Sequence, residues 1–284
     1  LNTIDGATTV AVTATAVTTI TGTASAVNTA LSSSTITGLG EEFVTLTGST
    51  SVADANTVSG KTTGAVTATI TEGDVSTLKT LNETTNAYTL VITDTTVAVA
   101  DLETLDGLTT VAVNASNVAT LTGSISAVTD IYAANTAGTI SGLGNEAVTI
   151  SDTTSVAVAS LNTLDAKTTG AINASTIQSL TGTAADLNTA YASSGISGLG
   201  NEAVTISDTE LASSVLNTLD GNTSGAVNAA TVTTLTGTAA AANTAYASGG
   251  ITGLGNEAVT LSDTSLATTV LNTLDGNTTG AVNA

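Results

Sequence analysis

The chain of 284 residues sets 23 acidic side chains against three lysines and no arginine, a formal charge of −20, and has no His, Cys, Trp, Met or Pro. Those absences remove imidazole and thiol catalysis and the nitrogen and sulfur ligands of zinc, iron and copper. So acidic a chain repels nucleic acid, and one Phe with four Tyr gives few stacking platforms.

The remaining side chains, 41% hydrophobic and regularly spaced, predict a folded chain rather than a disordered one. Lack of Cys argues only against a disulfide scaffold. No apolar run is long enough to span a membrane, so membrane insertion is not expected.

Internal repetition is the dominant signal. LNTIDG opens the chain at Leu1 and returns in altered form at Ala55 (ANTVSG), Leu102 (LETLDG), Leu161 (LNTLDA), Leu216 and Leu271 (both LNTLDG). The steps from Leu161 to Leu216 and from Leu216 to Leu271 are equal, whereas the earlier ones drift. Each long unit splits again, since LNTA at Leu187 echoes the motif between Leu161 and Leu216.

In chain order, short alternating apolar segments predict strands near Val44, Val66, Leu90 to Ile92, Val113, Val148, Ile172, Val204, Val227, Val259 and Val282. Segment 155–160 (SVAVAS) alternates too and reads as strand or helix. The turns Thr181-Gly182-Thr183 and Ser207-Asp208-Thr209 resemble helix N-caps, and Thr183 with Asp186 resembles a capping box. Behind them, Ala184, Leu187 and Tyr191, and then Leu211, Val215, Leu216 and Leu219, keep helical spacing. Gly221 and Gly276 are the expected C-terminal caps.

This grammar predicts a repeat solenoid, one array over 1–284 with units starting near 1, 55, 102, 161, 216 and 271. Its parallel strands would be joined by short helical or turn segments, in rungs of about 27 residues. A pure parallel β-solenoid is the alternative, because Thr, Val and Asn are mediocre helix formers. Small core residues suit a thin core, and outward Thr and Ser suit a wet strand face.

Three acid series recur in register: Asp152, Asp208 and Asp263; Asp106, Asp165, Asp220 and Asp275; Glu146, Glu202 and Glu257. Asp208 and its equivalents are expected to cap helices or turns. The competing reading is calcium at Asp152, Asp208 and Asp263, although neither an EF-hand loop nor a glycine-rich nonapeptide is present. Tyr132, Tyr191 and Tyr246 are expected at the core edge with their hydroxyls in water. The glycines around Gly142, Gly198 and Gly253 read as tight turns, since they lack phosphate-loop spacing and a lysine.

Segments 181–209 (TGTAADLNTAYASSGISGLGNEAVTISDT) and 216–229 (LNTLDGNTSGAVNA) resemble the Thr/Ala/Gly-rich tandem repeats of giant secreted or cell-surface proteins of bacteria, of the marine cyanobacterial type. The resemblance covers nearly the whole chain and is strongest from about Thr139 onward. It implies an extracellular structural role, with no catalytic residues to carry over. The expectation is therefore a non-enzymatic segment of a fibre, stalk or sheath that needs no cofactor and associates with itself end to end or laterally. The alternative is an adhesin-type module, calcium-stabilised, gripping a glycan or another cell-surface ligand. Its best candidate is the divergent stretch from Glu41 to Asn86, with Phe43, Tyr88 just beyond it, Lys61 and Lys79.

Overall fold

The computed structural model describes all 284 residues and divides into two compact units, Leu1–Thr122 with Asp130–Glu146, and Gly123–Thr129 with Ala147–Ala284. Parallel strands in several sheets alternate with short helices, and no sheet closes into a barrel. The helices are α1 (Asn2–Gly6), α2 (Ala24–Ser32), α3 (Val52–Ser59), α4 (Val75–Leu78), α5 (Val99–Gly107) and α6 (Ile125–Ala137). They continue with α7 (Val158–Asp165), α8 (Ala184–Ala192), α9 (Ser213–Asn222), α10 (Ala239–Ala247) and α11 (Thr268–Asn277).

In the first unit the main sheet runs Thr19–Gly22, Phe43–Thr50, Val66–Ile70, Ala87–Thr89. Smaller pairs join Val12–Thr13 to Ile36–Thr37 and Val113–Asn114 to Ile140–Ser141. In the second unit one sheet orders Ser155–Ala157, Ser179–Gly182, Ala203–Ile206, Val227–Asn228 and Ile251–Thr252. Another orders Glu210–Ala212, Thr234–Gly237, Ala258–Leu261 and Val282–Asn283. Their inward faces form ladders of like on like: Val156, Leu180, Val204, Val227 and Ile251 are all buried. Only branched aliphatic side chains of similar size fill such a column without gaps.

Every strand predicted in the second unit is present, but the chain has 22 strands, about twice the number that alternation reveals. The extra ones are two to four residues long. Thr181-Gly182, expected as a turn, closes the strand Ser179–Gly182, and Thr183 then caps α8. Segment 155–160 holds both conformations in succession, strand Ser155–Ala157 and the start of α7.

Strand register does not follow the sequence period. Ser155 lies opposite Ser179 and Ser179 opposite Ala203, a step shorter than half the distance from Leu161 to Leu216. Helices α7 to α10 start at Val158, Ala184, Ser213 and Ala239, and these starts keep pace with the sequence repeat instead. Each helix therefore begins further along the register than the one before it. As a result Ala203–Ile206 pairs on one side with a strand that precedes α8 and on the other with one that follows α9. The buried ladder fixes the register, and the helix, rising about 1.5 Å per residue against about 3.3 Å in a strand, absorbs the surplus residues.

Successive helices are stitched by asparagines. Asn162 Nδ2 donates to the Asp186 carbonyl at 3.0 Å, and Asn217 Nδ2 to the Ala241 carbonyl at 2.9 Å. Asn56 makes the same bond to Thr80 at 2.7 Å in the first unit. Gly221 and Gly276 do not cap as expected. Each lies inside its helix, which runs one residue further to an asparagine, and Asn222 donates to Asn188 Oδ1 at 2.8 Å.

Candidate functional site

Three recurring polar arrangements hold every member of the acid series except Asp275, which is exposed. The first is at helix starts. Thr183 caps α8 by accepting from the Asp186 amide, as predicted, but the return bond of a capping box is absent: the Asp186 carboxylate, too short to reach the Thr183 amide, accepts from the Thr183 hydroxyl at 2.8 Å. The Ala184 amide remains, and Asp208, from further along the chain, accepts its hydrogen at 2.7 Å. Asp263 does the same for Ala239 of α10 at 2.7 Å, and Asp152 for Ile125 of α6 at 2.8 Å. Glu72 and Asp94 repeat the arrangement at Val52 and Val75. Asp208 was expected to cap the helix that follows it; instead Glu210–Ala212 forms a strand there, and the carboxylate serves the helix before it. A negative charge on an N-terminal amide also meets the positive end of the helix dipole.

The calcium candidates Asp152, Asp208 and Asp263 thus stand at three separate helix starts. No group of three acidic side chains converges.

A second arrangement lies at helix ends. Asp165 accepts from Ser193 Oγ at 2.7 Å, Asp220 from Ser248 Oγ at 2.6 Å, and Asp106 from Thr139 Oγ1 at 3.1 Å.

The third joins tyrosines to buried glutamates, a pairing that sequence reasoning missed. Tyr132, Tyr191 and Tyr246 donate to Glu146, Glu202 and Glu257 at 3.1, 3.2 and 3.0 Å, so their hydroxyls do not face water as expected. The same carboxylates accept the amides of Gly144, Gly200 and Gly255 at 2.8 Å. Glu202 and Glu257 are 1% and 0% exposed, and the Oε1 atom of each has no hydrogen-bond partner. The pair therefore pins the end of a helix to the glycine turn and admits no solute. Burial pushes the Tyr246 phenol up to about 12 and Tyr191 higher still, with the neighbouring carboxylate adding to each shift.

The glycine turns are as tight as predicted. Gly198 has φ +84, and a side chain there would meet Ser175 at 2.8 Å.

The divergent stretch departs from this scheme. Its register step shortens where Val44 lies opposite Val66, and shortens again where Thr67 lies opposite Ala87. Tyr88 takes the glutamate position: Thr109 Oγ1 donates to its carbonyl as Thr223 Oγ1 does to that of Glu202. Asn86 substitutes for the shortened backbone. Its Oδ1 accepts the Val66 amide at 2.7 Å, where Val204 uses the Ala226 carbonyl, and its Nδ2 donates to Tyr88 and Ser59. Phe43 is 61% exposed. Lys79 pairs with Asp101 at 2.5 Å, and Lys61 donates to Asn28 Oδ1 at 2.5 Å and to Ser32 Oγ. A cavity of about 350 Å³ opens beside Ser59, Thr62, Thr63, Glu83, Thr85 and Asn86.

No helix is long and apolar enough to cross a membrane. No protein-family model, curated protein or solved structure matches the chain.

Proposed function

We propose that each unit is a repeat solenoid and that the chain is a non-enzymatic structural segment of an extracellular or cell-surface fibre, stalk or sheath. The observation that carries this reading is that each repeat is completed by its neighbour. Helix starts take carboxylates, and helix flanks take asparagines, from side chains about one register step away. Stability in such an array is the sum of repeat and interface terms, so it grows with repeat number and suits a load-bearing element. Asp152, Asp208 and Asp263 are spent on these joints, and Glu202 and Glu257 are buried against a tyrosine and a glycine turn. The surplus negative charge keeps neighbouring copies soluble and apart until cations screen it, which allows lateral or end-to-end association.

Immunogold labelling of the source cells with an antibody to the chain tests the location. Label on the cell surface or on shed filaments is expected, and label confined to the cytoplasm overturns the proposal.

A further inference from the structure

Resting on the extracellular reading above, we infer that Asn82 is the acceptor site for an asparagine-linked glycan, transferred from a sugar donor carried on a lipid diphosphate. Such transfer requires Asn-x-Ser/Thr with any residue but Pro between. Asn82, Asn114, Asn173, Asn222 and Asn277 each open such a sequon. In a chain this rich in Thr the motif alone decides nothing, and the fold decides among them.

A transferase must grip the asparagine amide and the hydroxyl two residues on together, so both have to be free of other bonds. At Asn114 and Asn173 they are not. Each closes a strand of a buried ladder, Val113–Asn114 and Ile172–Asn173, and each Oδ1 accepts the amide of the serine two residues on, at 3.0 and 3.1 Å. Those serines, Ser116 and Ser175, lie against the glycine turns at Gly142 and Gly198. Asn222 and Asn277 end their helices, with Nδ2 donating to Asn188 and Asn243 at 2.8 and 2.9 Å. The hydroxyls they need are also engaged, Ser224 donating to the Gly200 carbonyl at 3.2 Å and Thr279 to that of Gly255 at 3.3 Å.

Asn82 differs on each count. Residues 82–85 belong to no helix or strand and are exposed, between buried Leu81 and Asn86. The Asn82 backbone amide donates to Asn56 Oδ1 at 2.8 Å, which anchors the segment, while its side chain and the Thr84 hydroxyl make no hydrogen bond within the chain. Presenting this sequon breaks no ladder bond and uncovers no core residue, and local opening needs least free energy in such segments. In the transfer, Nδ2 bonds to C1 of the sugar and gives up one proton. The bond from C1 to the diphosphate oxygen breaks, and the lipid diphosphate leaves.

The test has two measurements. First, the folded chain, purified without sugar, is incubated with an oligosaccharyltransferase and its lipid diphosphate donor, and mass spectrometry with residue-level fragmentation locates the product. Asn82 should be modified at least about ten-fold faster than any other sequon, since each of those must first give up hydrogen bonds. Short peptides spanning the sequons should not share that preference. Thr84→Ala should abolish modification of Asn82 and leave melting unchanged, because Thr84 is exposed. Second, the same mass analysis is made of the chain recovered from its source cells, where sugar at Asn82 is expected. The inference is overturned by equal rates in the folded chain, by the same preference in peptides, by modification that survives Thr84→Ala, or by a bare Asn82 in chain recovered from the cell exterior. A bare chain found only in the cytoplasm, with Asn82 still preferred by the enzyme, leaves the acceptor site standing and overturns the proposed location instead.

Discussion

Replacing Asp208 gives the sharpest test of the carboxylates that cap helices from a distance. Asp208→Ala leaves the Ala184 amide without an acceptor at the start of α8, while the Thr183 cap on the Asp186 amide stays. A hydrogen bond to a charged group is worth about 1.5–3 kcal/mol. The lost interaction with the helix dipole is worth about 0.3–1 kcal/mol at a partly exposed site and overlaps with that figure. The expected cost is therefore about 2 kcal/mol, or a fall in Tm of roughly 4–8 °C for a unit of this size. Asp208→Asn keeps an acceptor and loses only the charge, so it should cost about half as much. Urea and thermal unfolding followed by circular dichroism at neutral pH measure both variants. The same losses in EDTA and in millimolar calcium identify a cap. A loss present only with calcium would identify a metal ligand and refute the capping argument, as would Asp208→Asn costing as much as Asp208→Ala.

Tyr246→Phe removes the hydroxyl that Glu257 accepts and deprives a fully buried carboxylate of one of its two donors. Urea unfolding should show a loss of about 1–3 kcal/mol, and no loss would mean the pair is incidental. Alkali should act through the same side chain. Its folded pKa of about 12 stands above the ordinary value near 10, so its stabilisation is whole below pH ~10 and drains away as pH rises towards ~12. Discounted for its partial exposure, the loss is about 1–2 kcal/mol. Tyr246→Phe should flatten that limb of the stability–pH curve, and an unchanged limb would assign it to other groups. With one ion pair in a chain of charge −20, Tm should climb as sodium chloride is raised from about 20 to 500 mM; a flat salt titration contradicts net self-repulsion.

The repeats, the parallel strands with helical returns and the N-cap at Thr183 were legible because each leaves a local mark, alternation in Val204 and Ile206 or a hydroxyl three residues before an acid. Short strands such as Ser179–Gly182 were not, since one buried leucine between polar residues carries no period. Gly221 misled because LDG looks like a helix stop, whereas Asn222 extends the helix to reach Asn188. The tyrosine–glutamate pairs recur as visibly as any motif, but their contact spans 11 or 14 residues across a turn and no local rule announces it. In the divergent stretch the shortened spacing of the motifs at Leu1, Ala55 and Leu102 was the available signal. It looked like drift until the register showed which connection had lost residues.

Because Asp208 completes a helix that began well before it in the chain, assembly has a direction. As the chain emerges N-terminus first, α8 can wind once Thr183 and the rest of its own sequence are free. Its first amide stays open until a further strand has been delivered. In the second unit every other helix, α8 and then α10, is thus left unfinished and is closed by a segment made after it. Growth of this kind resembles a zip fastener drawn from one end, in which no repeat depends on residues far ahead of it. A chain with very many copies would then fold at the pace of its synthesis, without searching among its nearly identical repeats for the right neighbour.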